Sequence, residues 1–299
     1  SKHFDEGSSK KAKKVPDERV WAEWLTTQFD YPVCYGDTVF EYTDGHYIQV
    51  PRGRVTSNII KSFQTATAPK AITAYHTFCD LVRREEFGEE GHDKICMLNG
   101  TLEVGNQILR PWSPDDELLY KLDVTWDADA ECPTYDGFVK WVFGDNEDAV
   151  RCWDEFCGLS MVDDIGFQKA MFLLGSGANG KSTLVQVLKA IHNSDMVSTV
   201  PITELDNERK LTSMFGKLLN ISTEQSRINN ITDVVFKQIV GGDPISIRKL
   251  YQEVENNVVL KVRFLCLANE LPSVADASDA MRRRLIILNC PNTVPEGER

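Results

Sequence analysis

The sequence predicts an α/β protein: a parallel central sheet carrying a phosphate loop, preceded by a smaller α+β and helical domain. Two observations carry this. Met171 to Leu188, MFLLGSGANGKSTLVQVL, reads as a short buried strand, a glycine-rich turn and a helix from Thr183 to Ile191. Downstream, apolar strand patterns at Lys217–Ser222 and Val262–Ala268 alternate with a helical pattern at Thr232–Val240. Alternation of this kind indicates an α/β layer sheet.

The chemistry of the turn explains its residue types. Gly175, Ser176, Gly177, Ala178, Asn179 and Gly180 can turn successive backbone N–H groups inward around a β-phosphate, and the following helix N-terminus adds a favourable dipole. Lys181 can reach the β/γ-phosphates, the Ser182 hydroxyl can ligate Mg²⁺, and Thr183 opens the helix. ATP with Mg²⁺ is therefore the expected cofactor pair.

Upstream, residues 1–16 are polar, Lys-rich and Ser-rich and read as a linker ending at Pro16; their KKAKK run could also touch DNA or act as a targeting signal. From Glu18 a helical pattern leads into TVFEYTDGHYIQV, where Asp44-Gly45 signals a hairpin. A second helical region covers Arg54 to Phe87, and LNGTLEVGNQILRPW reads as a hairpin closed by Gly105-Asn106. The expected domains are a linker at 1–16, an α+β domain at 17–132, a helical connector at 133–160 and the nucleotide-binding core at 161–299. Tyr135 to Cys157 supplies the connector as two helices, with Val150, Trp153, Phe156 and Cys157 on one face.

At 299 residues the chain is long enough for two cores, and no apolar run approaches the ~20 residues that span a bilayer. No membrane partner is expected, and the reading is cytoplasmic, in a host cell if the protein is phage- or plasmid-encoded. The eight cysteines form no C-x-x-C pair, which fits reduced, buried thiols. His76, Cys79, His92 and Cys96 loosely resemble a zinc site, but His76 and Cys79 also share one face of a helical run, and the structural reading is favoured. The seven carboxylates between Asp115 and Glu131 match no ligand loop and read as a solvated face. The net charge of −12 concentrates in residues 1–150, with 16 basic and 27 acidic side chains, against 17 and 18 in 151–299. A near-neutral half can still focus basic residues in a channel, so the total neither excludes nucleic acid nor argues for it.

Hydrolysis needs a way to position water and offset charge developing on the γ-phosphate. Candidates fall at strand ends. Glu224 follows the KLLNIST strand and could polarise water, and Asn269 ends the RFLCLA strand and could sense the γ-phosphate. Arg282, Arg283 and Arg284 precede LIILNC, and one of them could reach a neighbouring subunit's nucleotide.

With these residues in order, the chain resembles superfamily 3 helicases of the poxvirus and phage/plasmid primase-helicase family. GSGANGKST, ISTEQ, FKQIVGGDPISIRKLY, FLCLANELPSVAD and AMRRRLIIL carry the resemblance, with NGTLEV, CPTYDGFVKWVFGD and EFCGLSM upstream. It implies an AAA+-like core in which Lys181 and Ser182 keep the roles above, Glu224 is the Walker B acid and Asn269 the sensor. It further implies Arg284 as arginine finger with Arg283 a close second, and Lys237 facing the nucleotide of the adjacent subunit. Arg248, Lys249 and Tyr251 would lie on a hairpin gripping single-stranded DNA, where a base stacked on Tyr251 would contribute ~1–3 kcal/mol. The acid pair usual in Walker B is Thr223-Glu224 here, so Ser182 and waters are expected to hold Mg²⁺, with Glu224 acting through water.

The activity these implications add up to is an ATP-dependent helicase. It would work as a homo-oligomeric ring, six subunits by the resemblance, on single-stranded or forked DNA during viral or mobile-element replication. A covalently linked primase or polymerase domain is expected upstream. The alternatives are a nucleotide-dependent assembly switch or loader without unwinding, and a translocase on duplex DNA or RNA.

Overall fold

The structure is a computed structural model that describes residues 15–88, 93–223, 233–248, 254–270 and 279–295. The chain divides into two compact units, 1–89 and 90–299.

In the first unit, α1 (Asp17–Leu25) is followed by an antiparallel sheet of β1 (Val33–Tyr35), β2 (Thr38–Thr43) and β3 (His46–Val50). The predicted turn is present: β2 and β3 pair up to Thr43↔His46, and Asp44 and Gly45 both take positive φ. Such angles match the right-handed twist of the flanking strands. The helical region expected at 54–87 is two helices, α2 (Arg52–Ser62) and α3 (Ala68–Leu81). Phe63 turns extended at the end of α2, and Pro69 sits in the first turn of α3, where its missing N–H costs nothing. Trp21, Leu25, Ile59 and Phe78 close a core among the three helices.

The second unit begins with another antiparallel sheet, β4 (Lys94–Met97), β5 (Gly100–Glu103) and β6 (Ile108–Arg110). A boundary near 132 was expected from the sequence, whereas the division falls at 89/90. The reason is apolar packing: Ile95, Met97 and Leu102 of this small sheet share one core with Tyr120, Leu122, Met196 and Leu218. Below that core, Arg110 and Lys94 pair with the buried Asp116 carboxylate, and Thr101 donates to it. Burial pushes the Asp116 carboxyl up, but the Arg110 hydrogen bonds and the charges of Arg110 and Lys94 outweigh it and hold the group below its usual range.

After helices α4 (Pro133–Val142) and α5 (Glu147–Ser160) comes the main sheet, β7 (Ala170–Leu174), β8 (Val197–Ser198), β9 (Leu219–Thr223), β12 (Arg263–Ala268) and β13 (Leu285–Asn289). All pairings are parallel and the spatial order is β13-β7-β12-β9-β8. Strands buried on both faces read as continuous apolar runs. Along β7, Ala170 and Phe172 face the side of α7 (Glu208–Thr212) and α8 (Asp233–Gly241), while Met171 and Leu173 face α4, α5 and α6 (Lys181–His192). A hairpin of β10 (Ile245–Arg248) and β11 (Val254–Val258) leaves the layer between α8 and β12, and α9 (Asp279–Arg282) precedes β13. Among the described residues no helix is long and apolar enough to cross a membrane.

One buried polar side chain in the sheet is bonded through both its oxygen and its nitrogen. Asn220 in β9 accepts from Ser198 Oγ and Val200 N, both at 2.8 Å, and donates to Val200 O at 2.9 Å. Its side chain extends the short β8 ladder, which satisfies backbone groups that burial would otherwise orphan.

Candidate nucleotide site

In an open parallel sheet, ligands sit beyond the carboxyl ends of the strands, where the strand order reverses. Here that point is the end of β7, flanked by β12 and β13. The Gly175–Gly180 loop runs from it into α6, with Ser176, Gly177 and Ala178 exposed at the tip.

Two glycines of the loop are required by close approach. A Cβ on Gly175 would fall 1.9 Å from Asn179 Nδ2 and 2.9 Å from the Cys290 carbonyl oxygen. Gly180 takes φ +82, and a Cβ there would meet Val142 Cγ2 at 2.7 Å, so α4 braces the helix start. Helix α4 of the predicted connector thus touches the loop directly.

Lys181 is the first residue of α6 and its side chain is held at the loop mouth. Nζ donates to the Gly175 carbonyl at 2.5 Å and to Asn179 Oδ1 at 3.0 Å. The Asn179 amide is 3 % exposed, and its Nδ2 faces the Cys290 carbonyl at 3.5 Å. Ser182 and Thr183 are exposed in the first helical turn, which is closed by the Thr183 and Leu184 N–H groups donating to the Gly180 carbonyl, each at 3.0 Å. An anionic ligand with a bound cation fits this arrangement: an exposed loop at a helix N-terminus, one ammonium and one exposed hydroxyl.

Strand register brings Asn269 to the same place. Ala268 pairs with Leu174, and the Ala268 carbonyl accepts the Gly175 N–H at 3.1 Å, so exposed Asn269 follows directly beside the loop. Thr223, the end of β9, pairs one rung earlier with Leu267. Glu224, Lys249 and Tyr251 lie outside the described residues, and Arg248 is described by its backbone in β10, paired with Val254.

The three arginines separate sharply. Arg282 and Arg283 are exposed, whereas Arg284 is 8 % exposed, its Nη1 donating to Ala280 O at 2.8 Å. Its carbonyl accepts from Ala170 N, which places it at the opening end of β7, about 15 Å along the strand from the loop. Arg284 therefore does not meet Lys181 in one site of the same chain. Lys237 is half-buried on α8, whose Phe236, Ile239 and Val240 pack into the core.

One part of the site had no signal in the sequence. After β13 the chain crosses the loop: Cys290 N donates to Leu174 O at 2.7 Å, Val294 N to Ala178 O at 2.8 Å, and Asn292 Nδ2 to Trp141 O at 2.6 Å. Two of these bonds are backbone to backbone and leave no trace in residue type. Burial pushes the Cys290 thiol up to about 11, with the nearby Lys181 charge opposing it. Of the loose His/Cys set, His76 is exposed on α3, Cys79 and Cys96 are buried, and His92 lies outside the described residues. No group of three or more potential metal ligands occurs among the described residues.

Comparison with known proteins adds two family matches, two relatives and two solved structures. Residues 54–144 match the family described as D5 N terminal like, and residues 173–284 match a family of unknown function, DUF5906. A protein of Acanthamoeba polyphaga mimivirus that carries a helicase name is 26% identical over 215 residues, covering 67% of this chain and 22% of its own length. A protein of Invertebrate iridescent virus 3, also carrying a helicase name, is 25% identical over 227 residues, 68% of this chain and 24% of its own. The chain thus spans about a quarter of these relatives. Two apo structures of the NrS-1 C-terminal region share the fold, with TM-scores of 0.61 and 0.58 at 15% and 16% identity. Each alignment covers 95% of this chain and 63% or 64% of the other.

Proposed function

We propose that this chain, which resembles the phage and viral primase-helicases, is the nucleotide-driven motor part of a DNA helicase that acts in replication. The observation that carries the proposal is the Lys181 ammonium, held at the mouth of a phosphate loop with Asn269 beside it in strand register. ATP with Mg²⁺ is the nucleotide that these groups suit. Lys181 exchanges its Gly175 and Asn179 acceptors for phosphate oxygens, Ser182 offers the hydroxyl for the cation, and Asn269 orients water or reads the terminal phosphate. Glu224, next in sequence after β9, is the proposed base acting through water.

The remaining groups act between subunits of a ring, six by the resemblance. Exposure supports Arg283 rather than the buried Arg284 as the residue that reaches a neighbour's nucleotide, with Lys237 the second such contact. The β10–β11 hairpin, with Arg248, Lys249 and Tyr251, is the proposed grip on single-stranded DNA. A primase or polymerase part joined upstream is a further implication of the resemblance, and the encoding reading frame tests it.

Unwinding of a forked duplex by the wild type and by Lys181→Ala is the decisive measurement. The wild type should separate strands only with ATP, and the variant should lose at least about a hundredfold in hydrolysis, the scale of removing a principal charge-stabilising group. ATP hydrolysis by an assembled wild-type ring without strand separation would replace the helicase by an assembly switch.

A further inference from the structure

Arg284 lies at the end of β7 opposite the glycine-rich loop, and its guanidinium packs against the turn after α8. Its Nη2 lies 3.1 Å from the position a Cβ on Gly241 would occupy, and the Asp243 carboxylate lies 3.3 Å from that same point. Gly241 ends α8, and Gly242 and Asp243 form the turn into β10. Two groups from the segment before β7 hold the same turn. Gln168 Nε2 donates to the Gly241 carbonyl at 3.0 Å, and Ile165 packs so closely on Gly242 (φ +76) that a Cβ there would meet Ile165 Cδ1 at 2.5 Å. Arg284 in turn is anchored by Nη1 on Ala280 O and by its own carbonyl on Ala170 N.

The turn that launches the β10–β11 hairpin is thus hydrogen-bonded by Gln168, from the segment before β7, and packed against by Arg284, immediately before β13. The other end of each strand bears on the nucleotide loop: Leu174 leads into it, and Cys290 and Val294 cross it. A strand is stiff along its length, so displacement at the loop carries to the turn without passing through α8.

We infer that Arg284 and Gln168 are positioning residues that clamp the Gly241–Asp243 turn and couple the nucleotide loop to the hairpin within one subunit. The inference rests on the helicase reading only for what the hairpin does; the clamp itself is a statement about this fold. It also changes the role expected from the sequence, because a guanidinium engaged inside its own subunit is not presented to a neighbour.

The test uses the full chain, with Arg284→Gln and Gln168→Ala compared with the wild type. Amide exchange is read at Gly242 and Asp243, whose N–H groups bond to Ile239 O and Gln238 O. Both variants should exchange there at least about tenfold faster, with β7 and β12 amides unchanged, because only the clamp is lost. In Gln168→Ala, hydrolysis without DNA should stay at the wild-type level while its stimulation by single-stranded DNA falls at least about fivefold. A folded Arg284→Gln protein with unchanged exchange at Gly242 and Asp243 overturns the clamp. So does full DNA stimulation in Gln168→Ala, and so does rescue of Arg284→Gln hydrolysis by mixing with Lys181→Ala subunits, which would mark Arg284 as a contact between subunits. Accelerated exchange in both variants of a wild type that no DNA stimulates would support the clamp and sink the helicase reading.

Discussion

Helix α6 begins with Lys181 and ends with His192, and the two side chains meet opposite surroundings. At the N-terminal pole a bare ammonium is disfavoured, so Lys181 stays at the loop mouth because Gly175 O and Asn179 Oδ1 accept from it. A phosphate is a better acceptor, and the same pole favours it. At the C-terminal end His192 is fully buried, with Nδ1 2.8 Å from Leu188 O and Nε2 2.8 Å from Ser160 O. Burial pulls its pKa below the ordinary imidazole value, and the two carbonyls only partly restore it. Below pH ~6.5 the unfolded chain therefore takes up a proton that the folded ring resists, so stability falls as the solution is acidified through that range. Urea unfolding at pH 7.5 and 5.5 should show this loss, and His192→Gln should flatten it. An unchanged slope in that variant would assign the pH dependence to other groups.

At the scale of elements, the phosphate loop is a packed object rather than a flexible turn. Asn179 joins Lys181 on one side to the Cys290 carbonyl on the other, and the space for its amide exists because residue 175 has no side chain. Gly175→Ala should displace Asn179 and weaken nucleotide binding by ~10- to 100-fold, the equivalent of one charged hydrogen bond at ~1.5–3 kcal/mol. Titration with a fluorescent nucleotide checks this, and an unaltered Kd would mean the loop re-forms without the amide. The strand, loop and helix were legible in Met171–Leu188 because all their determinants lie within one short stretch. The break between α2 and α3 was missed because an apolar pattern continues across Phe63, and only Pro69 marks the restart. Asn220 was invisible as a ladder extension, since its partners Ser198 and Val200 belong to another strand edge.

For the whole molecule, the proposal that the site is completed between subunits is reached by mixing. Arg283→Ala and Lys181→Ala rings should each be inactive. Random mixing of the two should restore about a quarter of wild-type hydrolysis, because half the loops are intact and half of those face an intact arginine in a closed ring. No recovery on mixing would remove Arg283 from the neighbour's site, and a fully active monomer would remove the intersubunit site altogether. Domain organisation was the least legible feature. The β4–β6 hairpins read locally as part of the preceding α+β region, yet they fold with the later unit because Ile95, Met97 and Leu102 find their apolar partners at Met196 and Leu218.

By itself, the sequence determined the α/β class and the strand, glycine-rich turn and helix of Met171–Leu188. These follow from residue spacing within one strand, turn and helix, where backbone geometry leaves few alternatives. Only the tertiary structure decided which of three consecutive arginines is buried, that Asn269 stands beside Gly175, and that the chain after β13 crosses the loop. Those facts depend on strand register and packing between segments about 90 to 120 residues apart. Burial is a property of the neighbours a residue acquires, so Arg283 and Arg284, indistinguishable in sequence, part company only when β13 pairs with β7.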